Sequence, residues 1–376
     1  MEQVYKAIKN CCGCAKCEAV CPANAITMQF KGGHYYPVIN KDLCIDCKKC
    51  AKECNFTLNN NSMPLFAYAV KHNEKIRMQS SSGGAFTALS DYILKNGGRV
   101  YGADFDNNMH LCHTLADTPQ KRDRMRGTKY IQSDMTGVYK QIRADLKANL
   151  PVLFVGTPCQ VNAVKSYVGE NKDLYTADLI CHGVPSPEVW EKYIEYIEKK
   201  FGKRVKFFSF RNKDIAWRSY SGRITFSDNS VLSNSDLSNA YIELFRYDLT
   251  LRECCTSCPF TSLSRVGDIT LGDFWGIENV LPEIDDNKGV SAVFVNTEKG
   301  AKLFEAVKGN LECFKVSNEQ IAKRQPNLSR PSVPSIKAEA FKSDITTLSF
   351  ERVLKKYTRV GFKRRIIDFI KRILHK

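Results

Sequence analysis

Residues 11–22 read Cys11-Cys12-Gly13-Cys14-Ala15-Lys16-Cys17-Glu18-Ala19-Val20-Cys21-Pro22, and residues 44–54 read Cys44-Ile45-Asp46-Cys47-Lys48-Lys49-Cys50-Ala51-Lys52-Glu53-Cys54. Both stretches follow C-x2-C-x2-C-x3-C; the first ends on proline, the second on Asn55. Two intervening residues let a tight loop aim successive sulfurs at one cubane, while backbone N–H groups along the loop bond its sulfides. In paired runs of this kind the fourth cysteine serves the other cluster. Cys11, Cys14, Cys17 and Cys54 are therefore expected to hold one 4Fe-4S cluster, and Cys44, Cys47, Cys50 and Cys21 the second. Cys12 breaks the spacing to Cys14, which leaves Cys11 as the ligand. Structural zinc competes for this reading, but zinc needs only four cysteines per site, usually as two CxxC pairs. Three cysteines at x2 spacing plus a fourth, twice over, fit iron.

The rest of the chain agrees with redox chemistry inside a cell. Its 376 residues exceed one small module, so two or three domains are expected. Hydrophobic residues at 43% and charged residues at 26% suit a globular core rather than disorder. The first residues hold no apolar stretch long enough for a secretory signal, and no segment nears the roughly 18 apolar residues of a spanning helix. A cytoplasmic, reducing setting follows, where clustered cysteines bind metal rather than pair as disulfides. The formal charge is +16. Three oxidised clusters with their thiolates would lower it to about +10, still basic. That balance fits an acidic electron-transfer partner, an anionic membrane or nucleic acid. No helix-turn-helix or other reader accompanies it, so nucleic acid is not an expected partner.

Composition divides the chain into residues 1–55, with nine of the sixteen cysteines, a polar linker at 56–66, a mixed region at 67–345 and a basic tail at 346–376. In the mixed region Ala85, Phe86, Leu89, Tyr92 and Ile93 recur at helical spacing, and Asn96-Gly97-Gly98 ends that helix. Strands are expected at 99–105, 151–155, 205–210, 222–226, 230–233 and 291–295, with a helix from about Gln160. Ser186-Pro187 starts a helix to about Lys200 whose Val189, Trp190, Tyr193, Ile194 and Ile197 share one face. The expected fold is an α+β or α/β domain behind the cluster-binding one. In the tail, Phe362, Ile366, Phe369, Ile370, Ile373 and Leu374 fall on one helical face away from most of its lysines and arginines. Such a helix suits the inner face of an anionic membrane, or docking on protein.

Other motifs carry weaker signals. Cys255 and Cys258 form a CxxC, and Cys159 and Cys181 each follow an expected strand, at the sheet edge where ligands gather in α/β folds. The four could hold a third cluster, or Cys159 and Cys181 could be buried thiols. Ser80-Ser81-Ser82-Gly83-Gly84 precedes a helix, as either a phosphate cradle or an N-cap. Thr128, Lys129 and Tyr130 of Arg126-Gly-Thr-Lys-Tyr130, with Gly156 and Thr157, could add donors to the same phosphate. Asp268 and Asp273, flanking Gly272, either bond a ribose or ring edge or stabilise their turn. His182 is either an acid/base group or merely packed. No GxGxxG occurs, which argues against a Rossmann nicotinamide site.

Taken in order, Ser81-Ser-Gly-Gly84, Arg126-Gly-Thr-Lys-Tyr130, Gly156-Thr-Pro-Cys-Gln160, Cys181-His-Gly183, Cys255-x2-Cys258 and Gly267–Gly276 resemble the beta subunit of the 8-hydroxy-5-deazaflavin (factor 420) hydrogenase/dehydrogenase family, with a dicluster ferredoxin domain in front. The resemblance spans roughly residues 65–345. It implies FAD, held by Ser81, Ser82, Gly83, Gly84, Thr128, Lys129, Tyr130, Gly156, Thr157, Asp268, Gly272 and Asp273, and a third 4Fe-4S cluster on Cys159, Cys181, Cys255 and Cys258.

Flavin handles electrons in pairs or singly, whereas iron–sulfur clusters pass one at a time. The expected function is therefore an oxidoreductase joining a ferredoxin-like partner to a two-electron organic substrate, with a deazaflavin coenzyme as one candidate. The alternative is a non-enzymatic carrier or adaptor within a larger complex; similar proteins occur among surface-polysaccharide genes.

Overall fold

The computed structural model describes residues 10–54, 56–58, 62–361 and 366. The cysteine-rich segment folds as helix α1 (Lys16–Ala19), a hairpin of β1 (Ile26–Lys31) and β2 (His34–Ile39), and helix α2 (Lys49–Glu53). Each short helix begins after a left-handed residue, Ala15 (φ 60°) and Lys48 (φ 55°), which bends the loop around the cysteines.

Next come β3 (Phe66–Lys71), α3 (Glu74–Met78), α4 (Ala85–Lys95), β4 (Arg99–Phe105), β5 (Leu111–Ala116), α5 (Pro119–Met125), α6 (Val138–Lys147), β6 (Val152–Gly156), α7 (Pro158–Val168), β7 (Leu174–Leu179) and α8 (Pro187–Phe201). They are followed by β8 (Val205–Asn212), β9 (Ser221–Phe226), β10 (Val231–Ser233), α9 (Asp236–Arg246), β11 (Ile269–Asp273), β12 (Ser291–Val295), α10 (Glu298–Lys308), β13 (Glu312–Val316), α11 (Asn318–Ala322), α12 (Ala338–Thr347) and α13 (Phe350–Tyr357). Eight strands form one sheet in the order β13-β3-β12-β11-β7-β6-β4-β5. The stretch β11-β7-β6-β4 is parallel and the flanking pairs are antiparallel, so the sheet is mixed.

Both faces of this sheet are covered, so its central strands are mostly apolar, with buried Thr176, Asp178 and Thr270 as polar exceptions. Alternation still sorts them: Val100 and Leu153 meet α4 and α10 through Leu89, Ile93, Leu303 and Phe304. Tyr101, Val152 and Phe154 face α6 and α7 through Tyr139, Ile142, Val161 and Val164. The second face also receives Ala15 and Val20, so the cluster-binding segment rests on α6 and α7. Tyr139 Oη donates to Cys14 O (2.6 Å) and Lys16 Nζ to Ser166 Oγ (2.9 Å).

A third layer pairs β8, β9 and β10 with α8, α9, α12 and α13 around buried Trp190. Helix α8 matches its expected span closely; Ser186 accepts from Val189 N, Pro187 takes the first turn, and all five named apolar residues are buried. Helix α7 starts two residues before the expected Gln160 because Thr157 and Gln160 cap it through Gln160 Oε1.

Two boundaries differ from the sequence expectation. Phe56 packs edge-on against Phe260 (5.5 Å), so the linker begins by docking on the core. Residues assigned to the tail contribute α13, whose Val353 and Leu354 are fully buried. The apolar stripe of the tail lies outside the described residues except for Ile366. Among the described residues no helix is long and apolar enough to cross a membrane.

Candidate redox site

The carboxyl ends of β4, β6, β7 and β11 open onto a cavity of about 510 Å³. That volume falls within the roughly 300–1,000 Å³ of small-molecule and cofactor sites. The lead-in to α4 closes one end. Gly84 takes φ 88° as the N-cap of α4, with no side chain capping the helix. The first-turn N–H groups of α4 therefore need a partner, and Ser81, Ser82, Gly84, Ala85 and Phe86 all line the cavity. Thr128 N donates to Ser81 Oγ (2.6 Å), fastening the Arg126–Tyr130 loop to the same rim. A helix N-terminus bare of caps and ringed by hydroxyls suits phosphate.

Ten of the twelve residues expected at a cofactor line this cavity: Ser81, Ser82, Gly84, Thr128, Lys129, Tyr130, Gly156, Thr157, Gly272 and Asp273. Gly83 instead packs beneath it, where a Cβ would meet Val70 O at 2.1 Å. Asp268 is also elsewhere. Its carboxylate accepts from Thr176 N (2.9 Å), Thr176 Oγ1 (2.8 Å) and Thr297 Oγ1 (2.8 Å), so it staples β7, β11 and α10 rather than touching a ligand. Lys129 lines the wall, but its Nζ donates to Arg124 O and Arg126 O, and burial lowers its pKa to about 7. Asp273 is paired with Arg211 (2.7 Å) and accepts from Trp217 Nε1 (3.2 Å).

Sequence reasoning missed the opposite wall, where Tyr220, Arg246, Trp275 and Arg324 stand. Trp275 stacks on Tyr220 (5.5 Å, 20°), and Arg246 lies over Tyr220 (4.6 Å). Asp273 is the only acidic residue among the described lining, against Arg126, Lys129, Arg246 and Arg324, so the cavity favours an anionic guest. His113 was missed too. It sits neutral in the wall between Ser133 Oγ (2.8 Å) and Val155 O (3.0 Å), its pKa lowered to about 4 by burial. His182 bonds Asp248 (2.5 Å) and lies near Ser332 Oγ (3.3 Å). Burial opposes its protonation, but the Asp248 carboxylate outweighs that and raises its pKa.

The cysteines assemble in three sets. Cys11, Cys14, Cys17 and Cys54 line a small hollow together with Lys16, Met28 and Phe56. Their thiols sense one another: burial first, then Cys14, Cys11 and Cys54, push the Cys17 thiol up, while burial, Cys14 and Cys11 raise Cys54 to about 11. Cys50 likewise feels Cys21 and Cys47. Cys54 thus lies beside Cys11, Cys14 and Cys17, and Cys21 beside Cys50. Cys159, Cys181, Cys255 and Cys258 form the third set. Burial raises Cys181 well above its ordinary value, and Cys255, Cys159 and Cys258 follow as causes. Val184 N donates to Cys255 Sγ (3.4 Å). Burial makes the Cys17, Cys54 and Cys181 thiols resist ionisation unless a cation accepts them, as iron would, whereas the Cys12 thiol lowers Cys14 to about 6 and the Cys254 thiol lowers Cys255. Among the described residues no His, Cys, Asp or Glu group closes tightly enough around a single metal ion.

The sets lie in series. Cys44 and Cys47 are exposed, whereas the first and third sets are half-buried or buried, apart from the exposed Cys54. Cys12, which the spacing left without a role, lies close enough to Cys14 and Cys159 for their thiols to push its own pKa well up, and so neighbours the first and third sets. Cys181 belongs to the third set and to the cavity wall.

Residues 151–319 match the family described as the C terminus of the coenzyme F420 hydrogenase/dehydrogenase beta subunit, and residues 10–57 match the 4Fe-4S dicluster domain. The F polypeptide of the F(420)H(2) dehydrogenase from Methanosarcina mazei is 22% identical over 321 residues, covering 80% of this chain and 83% of its own length. Among solved structures, a chain of the xenon-derivatised F420-reducing NiFe hydrogenase complex from Methanosarcina barkeri covers 78% of this chain and 97% of its own, at 16% identity and a TM-score of 0.49. The N-terminal segment is a 4Fe-4S cluster-binding domain, and the family resemblance carried by the ordered motifs stands.

Proposed function

We propose that this chain is an iron–sulfur and flavin-binding oxidoreductase subunit, carrying electrons between a ferredoxin-like partner and a two-electron organic substrate. One observation carries the reading: three cysteine sets run in series from exposed Cys44 and Cys47 to Cys181 in the wall of a cationic cavity. The comparisons add relatives among F420-linked dehydrogenases and hydrogenases.

The residues fit FAD. Ser81, Ser82, Gly84 and the open turn of α4 would take its phosphates, and the wall from Gly156 to Gly272 would take its rings. Bound there, FAD supplies exchange of electrons either singly or as hydride. Cys159, Cys181, Cys255 and Cys258 would hold the third 4Fe-4S cluster, adjoining the cavity through Cys181. Arg246 and Arg324 form no carboxylate pair among the described residues, so they remain able to hold an anionic substrate beside the Trp217–Trp275–Tyr220 aromatic group. A deazaflavin coenzyme has that chemistry.

Anaerobic purification with iron, sulfide and flavin counted on one sample tests the reading. About twelve irons, at four per cluster, with one FAD is the expected result. About eight irons without flavin would favour an adaptor role instead. Ser81→Asp places a negative charge at the phosphate end. It should weaken FAD binding at least about tenfold, a loss near 1.4 kcal/mol, with iron content unchanged. Equal FAD affinity in titrations of parent and variant would remove the phosphates from this rim.

A further inference from the structure

Arg252 belongs to the turn that carries Cys254, Cys255 and Cys258, yet its side chain reaches into the cluster-binding segment. It is fully buried (0% exposed). Its Nε donates to Cys11 O (2.7 Å), one terminal nitrogen to Gln132 Oε1 (2.9 Å), and the other to Tyr35 O (2.9 Å) and Cys11 Sγ (3.5 Å). The guanidinium lies over the Tyr36 ring at 4.1 Å. Gly13 permits this approach, since a Cβ there would meet Gln132 at 2.2 Å and Arg252 at 3.0 Å. The backbone is held as firmly: Arg252 N donates to Val184 O (3.0 Å), and Cys255 N donates to Arg252 O (3.0 Å).

Among the described residues no carboxylate pairs with this buried cation. Its polar partners are instead the Cys11 and Tyr35 carbonyls, Gln132 Oε1 and the Cys11 sulfur. A buried charge without an opposite charge is strongly unfavourable. The anion that would complete this site is a thiolate-bound cluster on the first set, which would gain one further negative charge on reduction. We propose that Arg252 is a positioning residue that tunes the electron path. Its fixed charge against Cys11 favours reduction of the cluster on Cys11, Cys14, Cys17 and Cys54 over the one on Cys21, Cys44, Cys47 and Cys50. With clusters bound, an electron from an external one-electron donor to the set on Cys21, Cys44, Cys47 and Cys50 would move to the set beside Arg252, the outer set being reoxidised as the inner is reduced, with no proton needed. Lysines around Cys44 and Cys47 cannot match this effect, because solvent and salt screen exposed charges while buried ones act in low dielectric. The inference rests on the cysteine sets holding clusters as proposed above.

The test is a potentiometric titration of the whole chain followed by electron paramagnetic resonance, on the parent, Arg252→Gln and Arg252→Lys. Cys44→Ser, which alters only the exposed cluster, assigns the signals. In the parent the inner cluster should be reduced at the higher potential. Arg252→Gln should lower the inner cluster's reduced-to-oxidised ratio at least tenfold, which is 59 mV for one electron, and leave the outer one in place. Arg252→Lys, which keeps the charge, should retain most of the parent value. An unshifted inner potential in Arg252→Gln at parental iron content overturns the proposal, as does an equal shift in both variants. If Arg252→Gln fails to keep iron, the parent decides: inner above outer supports the proposal, and coincident or reversed potentials overturn it. A parent lacking eight N-terminal irons would instead refute the underlying cluster reading, visibly before any variant is made.

Discussion

Replacing Cys181 by serine is expected to lower bound iron from about twelve to about eight per chain and to cut electron passage into the cavity. Serine keeps the shape of the side chain, but its hydroxyl ionises far less readily than a thiol, and iron in these clusters is held by thiolates. Cys181 is the right position because it belongs to two structures at once. It shares its surroundings with Cys255, Cys159 and Cys258, and it forms part of the cavity wall. The eight N-terminal cysteines share no ligand with this set, so their iron and their spectra should persist. Cys112→Ser serves as control, since that thiol belongs to none of the three sets and donates to Asp104 O (3.8 Å). Cys254→Ser should also retain iron, because Cys254 contacts Cys255 without completing the four. Iron and sulfide analysis with reduction of a cavity-bound acceptor checks both parts. Parental iron in Cys181→Ser would return Cys181 to the role of a buried thiol; loss of all iron would mean that the two halves fold only together.

How much of this was legible in the chain depended on whether the signal was local. The cysteine spacing is a local signal, because loop geometry around a cubane is written in consecutive residues, so an expected ligand set can be read from each run alone. Helix α8 was legible for the same reason: cap, proline and apolar face all lie within fifteen residues. The sheet order was not. Strand β3 pairs with β12 and β13, more than two hundred residues away, and nothing in Phe66–Lys71 names those partners. The cavity was half legible. Its floor is made of small-residue loops after strands, which read as turns, whereas Tyr220, Arg246 and Arg324 arrive as single residues without a motif. Cys12 escaped because spacing marks ligands, not neighbours.

Buried charges misled most. From sequence, Asp268 either bonds a ligand or stabilises its turn; strand pairing turns it inward to Thr176 and Thr297, where it holds the fold. Asp178, Arg252 and Arg265 were not singled out at all, since in a chain with 26% charged residues an arginine gives no sign of being inside. Yet all three are at most 3% exposed, and they join the functional elements to one another.

Asp178 shows how large that hidden contribution is. It stands near the end of β7, three residues before Cys181, and its Oδ1 accepts from Arg265 (2.9 Å). Its Oδ2 accepts from Val266 N (3.2 Å) and Gly267 N (2.8 Å). The same guanidinium donates to Phe260 O and Ser262 O (both 3.0 Å), on the loop that follows Cys258. The pair therefore fixes Cys258 relative to Cys181. Asp178→Asn is expected to destabilise the chain by about 3–5 kcal/mol, because it leaves a buried guanidinium without its counter-charge. The measurement is a lowered urea midpoint by circular dichroism, with loss of the third set's iron preceding global unfolding. Asp178→Leu combined with Arg265→Met should recover much of the stability, since replacing both charges by apolar groups is often close to neutral, but it should not restore that iron. A loss below about 1 kcal/mol in Asp178→Asn would put the pair in the class of solvent-screened bridges. Recovery of both stability and iron in the double variant would show instead that packing alone orients Cys258, with the ion pair serving only to satisfy itself.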